Sequence, residues 1–95
     1  MSEKAPGLEE YSPSRLEWFA VFLNSFVHFT NTQIDTVFIP ENDGKTILLH
    51  MRYGKDINAH VLEKHTERTK TYAQEMAKRY GWDSWIEINV NQEHY

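Results

Sequence analysis

Asp43-Gly44 separates two runs of alternating apolar residues, which is a strong signal for a β-hairpin. The first run, Gln33 to Pro40, is largely apolar on both faces and ends at its proline. The second run, Lys45 to Tyr53, has isoleucine, leucine, methionine and tyrosine on one face. Its other face carries Thr46, Leu48, His50 and Arg52. The sequence therefore predicts two antiparallel strands with one face suited to a core.

A strongly apolar helix is predicted before the hairpin. Ser14 followed by Glu17 is typical of a capping box, and Ser12 with Pro13 at the first helical position is the alternative start. We expect the helix to end near Thr30. Its apolar side is roughly twice as wide as that of an ordinary surface helix. A second apolar stripe lies beside the core-facing one and consists of Trp18, Phe22 and Phe29.

A second, longer helix is predicted from about Ile57 to Tyr80, with Asp56 or Asn58 as its N-cap. Gly81 is expected to close this helix in the left-handed conformation, and Trp82 to pack back on the last turn. The predicted buried face consists of Val61, Leu62, His65, Thr69, Tyr72, Ala73, Met76 and Tyr80.

A last strand is predicted from Trp85 to Asn91, with Trp85 on the same sheet face as Leu48. The order helix, strand, strand, helix, strand predicts a two-layer α+β sandwich with a three-stranded, mainly antiparallel sheet. We expect both helices on one face. The last strand can pair with either strand of the hairpin. We expect it beside the first, because that strand is apolar on both faces.

The chain length and composition limit the possible functions. Its 95 residues fit one domain over residues 13–91, with a disordered N-terminal tail over 1–12 and a short C-terminal tail over 92–95. The chain has no cysteine, which excludes disulfides, thiolate zinc sites and cysteine nucleophiles. A net charge of -4 argues against nucleic acid as a partner.

The sequence also argues against secretion and membrane binding. Met1 to Glu10 is polar, unlike a signal peptide. The apolar stretch from Leu16 to Phe29 is shorter than the roughly 20 residues of a membrane span. We therefore expect a cytoplasmic protein.

The histidines do not form a recognisable metal motif. His60 and His65 are five residues apart on the second helix, which turns them about 140° away from each other. We expect no metal and no cofactor. Because His65 lies on the apolar side, we expect it to be half-buried and bonded to a tyrosine or a backbone carbonyl.

His50 and Arg52 lie two residues apart on the open face of the second strand, within reach of Asp35 or Glu87 on a neighbouring strand. Such a group could hold an anion or a small molecule, and conceivably transfer a proton. No nucleophile is placed beside them. We therefore assign no catalytic residues and regard this ligand site as the alternative function.

The excess of apolar surface favours a protein–protein interface. Leu48 and Trp85 are predicted on the sheet face that neither helix covers. The helix stripe either joins this interface or packs against Tyr72, Met76 and Tyr80. We predict a non-enzymatic binding module that forms a homodimer or docks on another protein. The interface candidates are Leu48, His50, Arg52, Trp85, Trp18, Phe22 and Phe29.

Chelator treatment should leave the fold and the melting temperature unchanged, because no set of side chains has workable ligand spacing. Circular dichroism melting with and without EDTA measures this. A drop of several degrees that zinc restores would contradict the prediction.

Overall fold

The structure, a computed structural model, describes residues 12–27 and 31–95 of the chain. Phe29 and most of the expected N-terminal tail therefore lie outside the described residues. The elements are α1 (Pro13–Phe26), β1 (Ile34–Pro40), β2 (Thr46–Tyr53), α2 (Ala59–Arg79) and β3 (Glu87–His94). Their order and the open three-stranded sheet confirm the predicted α+β fold class.

The sheet has the order β1-β2-β3, with β1 antiparallel and β3 parallel to β2. Our expectation that β3 lies beside β1 is wrong. The chain instead leaves β2, passes through α2 and returns as β3 directly beside β2, as in a β-α-β crossover. We expected β1 to be the central strand because it is apolar on both faces. It lies at an edge of the sheet instead, where Val37 and Ile39 are 39% and 37% exposed.

The core lies on the side of the sheet that carries Ile47, Leu49 and Met51, all fully buried. The register places Phe38 of β1 and Val90 of β3 on either side of Leu49. Buried residues of α1 and α2 join these side chains in a single hydrophobic cluster. The cluster makes one domain out of local elements that would not be stable separately.

The start and end of α1 differ from the leading expectation. The helix begins at Pro13 after Ser12, so the alternative start is right. Proline suits this position because its missing N–H has no helical acceptor to lose. The Ser12 side chain forms no cap hydrogen bond, and its hydroxyl lies 3.0 Å from that of Ser14. The helix ends at Phe26, well before Thr30, because Val27 is already extended.

Asn24 attaches α1 to the outer edge of β1. Its Nδ2 donates to the Phe38 carbonyl at 3.0 Å, and the Phe38 N–H donates to its Oδ1 at 2.9 Å. The carboxamide thus pairs with the edge as a neighbouring strand would. From the sequence, Asn24 was only part of the polar side of the helix. Its partner is fourteen residues away, so no local pattern reveals the contact.

The ends of α2 confirm the predicted caps. The Asn58 side chain accepts from the backbone N–H groups of His60 and Val61. At the other end Gly81 has a φ of 76°. The Gly81 N–H donates to the Lys78 carbonyl, and the Trp82 N–H to the Ala77 carbonyl. These two bonds define a Schellman motif, which explains why the helix stops at a glycine followed by an apolar residue.

The buried side of α2 is a row of residues four apart: His65, Thr69, Ala73 and Ala77. We missed Ala77, and Val61 is 36% exposed although we expected it to be buried. Tyr72 is half-buried beside this row. Its hydroxyl donates to the Leu23 carbonyl at 2.9 Å, and this bond joins the two helices.

β3 begins and ends later than the alternation suggested. The Trp85 and Ile86 N–H groups both donate to the Trp82 carbonyl, at 2.8 and 3.0 Å. This turn keeps Trp85 out of the strand, which starts at Glu87 and continues to His94. The prediction that Trp85 lies within β3 is therefore wrong. It is 60% exposed in the turn before the strand.

Replacing Gly81 with alanine should lower the free energy of unfolding by about 1 kcal/mol, because a Cβ is strained at this positive φ. Urea denaturation measures it. Gly54→Ala is the control, since a Cβ at Gly54 meets no atom within 4 Å. Equal midpoints for Gly81→Ala and the unaltered protein would show that the cap contributes nothing.

Candidate functional site

The side of the sheet opposite the core, called the open face here, is crossed by three rows of side chains that span all three strands. The rows are Ile39-Leu48-Asn89, Val37-His50-Asn91 and Asp35-Arg52-Glu93. A shorter row, Thr46-Glu87, lies beyond the first of them. Both β1 aliphatics of this face are more than a third exposed. The face therefore has an aliphatic patch around Ile39 and a charged cluster at the Glu93 end.

Glu93 organises the charged end. Its Oε1 lies 3.5 Å from His50 Nε2 and 3.7 Å from Arg52 Nε. We expected Asp35 or Glu87 to reach these two residues. Glu93 does so instead because β3 pairs with β2, and the register sets Glu93 directly beside Arg52. Glu87 is six residues away along the strand, opposite Thr46.

The other neighbours of the pair are Asn91 and Tyr95. Asn91 Nδ2 lies 2.9 Å from His50 Nδ1. When this amide donates to Nδ1, the imidazole proton is on Nε2 and points towards Glu93. The Arg52 guanidinium lies over the Tyr95 ring, 4.9 Å from its centroid, a favourable cation–π distance.

Arg52 and Glu93 form an exposed ion pair. Their side chains are 49% and 56% exposed, and such surface pairs contribute little stability. An anion that approached Arg52 would meet the negative charge of Glu93 beside it. The exposure of Glu93 also leaves its contact with His50 without the low dielectric of a closed active site.

The structure brings together only part of the predicted interface set. Leu48, His50 and Arg52 share the open face as expected. Trp85 is exposed but lies in the turn before β3.

Trp18 and Phe22 belong instead to an aromatic cluster at the C-terminal end of α2. The Trp18 ring stacks on Phe22 at 5.3 Å and meets Tyr80 edge-on at 5.8 Å. Phe22 also meets Tyr80 edge-on, at 5.9 Å. Both rings thus contact Tyr80, as the packing alternative expects, while Trp18 is still 37% exposed. The third member, Phe29, is outside the described part.

His65 is 7% exposed and bonds to a side chain we did not anticipate. Its Nε2 lies 3.1 Å from the Thr36 hydroxyl on β1. Burial lowers the pKa of His65, and the nearby positive charge of Arg68 lowers it further. Over residues 12–27 and 31–95, no group of three or more histidine and carboxylate side chains is arranged to hold a metal ion.

Comparison with protein families, curated proteins and solved structures gives no significant match. The described helices include none long and apolar enough to cross a membrane. A function for this protein is therefore inferred from the surfaces of this chain alone.

The lowered pKa of His65 should make stability fall as the pH drops below about 6.5, the ordinary histidine value. In that range the unfolded chain binds a proton that the folded chain does not, so protonation favours unfolding. Urea titrations across this range measure the effect. His65→Gln should flatten the dependence, whereas His60→Gln, at an exposed position, should leave it unchanged. An equal slope in the unaltered protein and His65→Gln would contradict this assignment.

Proposed function

We propose that the chain is a small, non-enzymatic protein-binding module of the cytoplasm, and that the open face is its contact surface. The observation that carries this proposal is the side-by-side position of an aliphatic patch and a cluster of both charge signs. The patch consists of the exposed Val37 and Ile39 with the half-buried Leu48, and the cluster contains Arg52 and Glu93.

An aliphatic patch beside an arginine stacked on a tyrosine is a favourable composition for an interface. Arginine and tyrosine are enriched among residues that dominate binding energy, and removing the aliphatic side chains from water supplies the non-directional attraction. Charges at one end give the pairing an orientation. Neither feature needs a cavity.

A second copy of this chain is the occupant we propose. The open face has charges of both signs, so a two-fold axis can place Arg52 of each copy near Glu93 of the other. The same axis can bring the aliphatic patches together. Two-fold pairing is also the commonest form of self-association. The alternative of a small anion is disfavoured because Glu93 places a negative charge beside Arg52, whereas a second copy brings charges of both signs.

Leu48→Ser combined with Trp85→Ala should convert a dimer to a monomer while the helical circular dichroism signal is retained. Light scattering should give about twice the chain mass of 11.3 kDa before substitution and the chain mass afterwards. The single variants Leu48→Ser and Trp85→Ala test the open face and the turn before β3 separately. Leu48→Ser alone should weaken the dimer if the face is the contact.

The control is Val21→Ser with Phe26→Ala, which likewise replaces one aliphatic and one aromatic side chain by small ones, at two exposed positions of α1. This control should stay dimeric. A protein that is monomeric at high micromolar concentration, or a control that dissociates as readily, would show that the open face does not pair with a second copy.

A further inference from the structure

The two edges of the sheet differ in what contacts their outward backbone groups. At the β1 edge, the Asn24 carboxamide occupies both backbone groups that Phe38 turns outwards. β3 forms the opposite edge, and within residues 12–27 and 31–95 no strand pairs with its outer side. An exposed strand edge is a template for another strand unless something covers or disfavours it.

The hydrogen bonds of β3 show which groups point outwards. The Glu87 and Tyr95 N–H groups each donate to β2, to the carbonyls of Lys45 and Tyr53, at 2.9 Å. Because the direction of backbone groups alternates along a strand, the even-numbered residues turn theirs away from β2. Ile88, Val90 and Gln92 therefore present N–H and C=O groups along about 13 Å of the edge.

A cleft runs beside this edge, between β3 and α2. Near the start of α2 it widens into a cavity of about 630 Å³, bounded on the strand side by Val90 and Gln92. Near the end of α2 it widens again into a cavity of about 580 Å³, where Ile88 contributes to the wall. Gln92 is fixed in place, since its Nε2 donates to the Thr66 hydroxyl at 3.0 Å. The cleft thus offers two places for side chains next to one row of backbone groups.

The charge of the cleft selects the partner. Five carboxylates line the two cavities: Glu63, Glu67, Glu75, Asp83 and Glu87. Only Lys70 and Lys78 oppose them there. The cleft is therefore acidic along most of its length, and it is complementary to a positively charged segment. A second copy of β3 would instead bring an equally acidic cleft against this one.

We propose that the outer edge of β3 and the adjoining cleft bind an extended segment of another protein that carries lysine or arginine side chains. The segment pairs with β3 as a fourth strand, and alternate side chains enter the cleft. Successive inward side chains are about 6.6 Å apart, so several reach the carboxylates at once. This inference deepens the proposed binding function but uses a surface separate from the open face.

The test uses synthetic heptapeptides and the full chain. A peptide of alternating lysine and valine should shift the amide resonances of Ile88, Val90 and Gln92 and slow their hydrogen exchange. A peptide of alternating glutamate and valine should bind about tenfold more weakly, and added salt should narrow the difference. Methylation of alternate amides in the basic peptide should abolish binding, because it removes the groups that pair with β3.

Two pairs of variants connect the binding to named groups. Gln92→Pro removes an outward N–H without breaking a bond to β2, and it should abolish peptide binding. Gln92→Ala removes the same side chain but retains the N–H, so it should still bind. Glu63→Gln with Glu67→Gln should weaken binding about fivefold. Glu17→Gln with Glu41→Gln changes the net charge equally at exposed sites outside the cleft, and should have no effect.

Three results would overturn the inference. These are equal binding of the basic and acidic peptides, no shift of the β3 amides with either peptide, and slower hydrogen exchange of the Ile88, Val90 and Gln92 amides when the protein alone is concentrated. The last result would show that a second copy covers the edge. Because the open-face variants are measured by mass and the edge variants by peptide binding, failure of one proposal leaves the other separately testable.

Discussion

Trp82 connects three elements of this small domain through its ring and its backbone. The side chain is 1% exposed, and its ring lies 5.7 Å from Phe19 of α1. Its backbone N–H donates to the Ala77 carbonyl in the last turn of α2, and its carbonyl accepts from the Ile86 N–H immediately before β3. One residue therefore fixes where α2 stops, which helix packs on its end and where the last strand begins.

The position of β3 beside β2 determines both candidate surfaces. Beside β2, the strand supplies Glu93 to His50 and Arg52, which gives the open face its charged end. In the same position its outer edge runs along α2, where the helix contributes most of the cleft's carboxylates. Had β3 paired with β1, neither arrangement would exist. The surfaces are therefore consequences of strand order.

Features that depend on neighbouring residues could be predicted from the sequence, whereas features that depend on contacts between distant segments could not. The hairpin at Asp43-Gly44 and the Gly81 cap are determined within a few residues, and both were predicted correctly in type and place. The pairing of β3 with β2 joins distant segments, and apolar alternation is compatible with either neighbour. The Glu93 contacts could not be predicted, because they depend on that pairing and its register.

The same distinction applies to Asn24 and Trp85. The sequence placed Asn24 on the polar, solvent-facing side of α1. Its side chain instead bonds to the edge of β1, which a helical pattern does not show. Trp85 continued the alternating pattern of β3, so only the hydrogen bonds of the preceding turn show that it is outside the strand. Patterns indicated which elements form, whereas their mutual placement decided what each side chain contacts.

The Asn24 carboxamide also bears on how this sheet could add strands. A sheet with two exposed edges can add copies at both sides and grow into a fibril. Here both groups that Phe38 turns outwards, in the middle of β1, are already occupied by a helix side chain. A strand approaching β1 would have to displace that amide before it could pair continuously along the edge. A single carboxamide on a neighbouring helix thereby interrupts the template at one of the two edges.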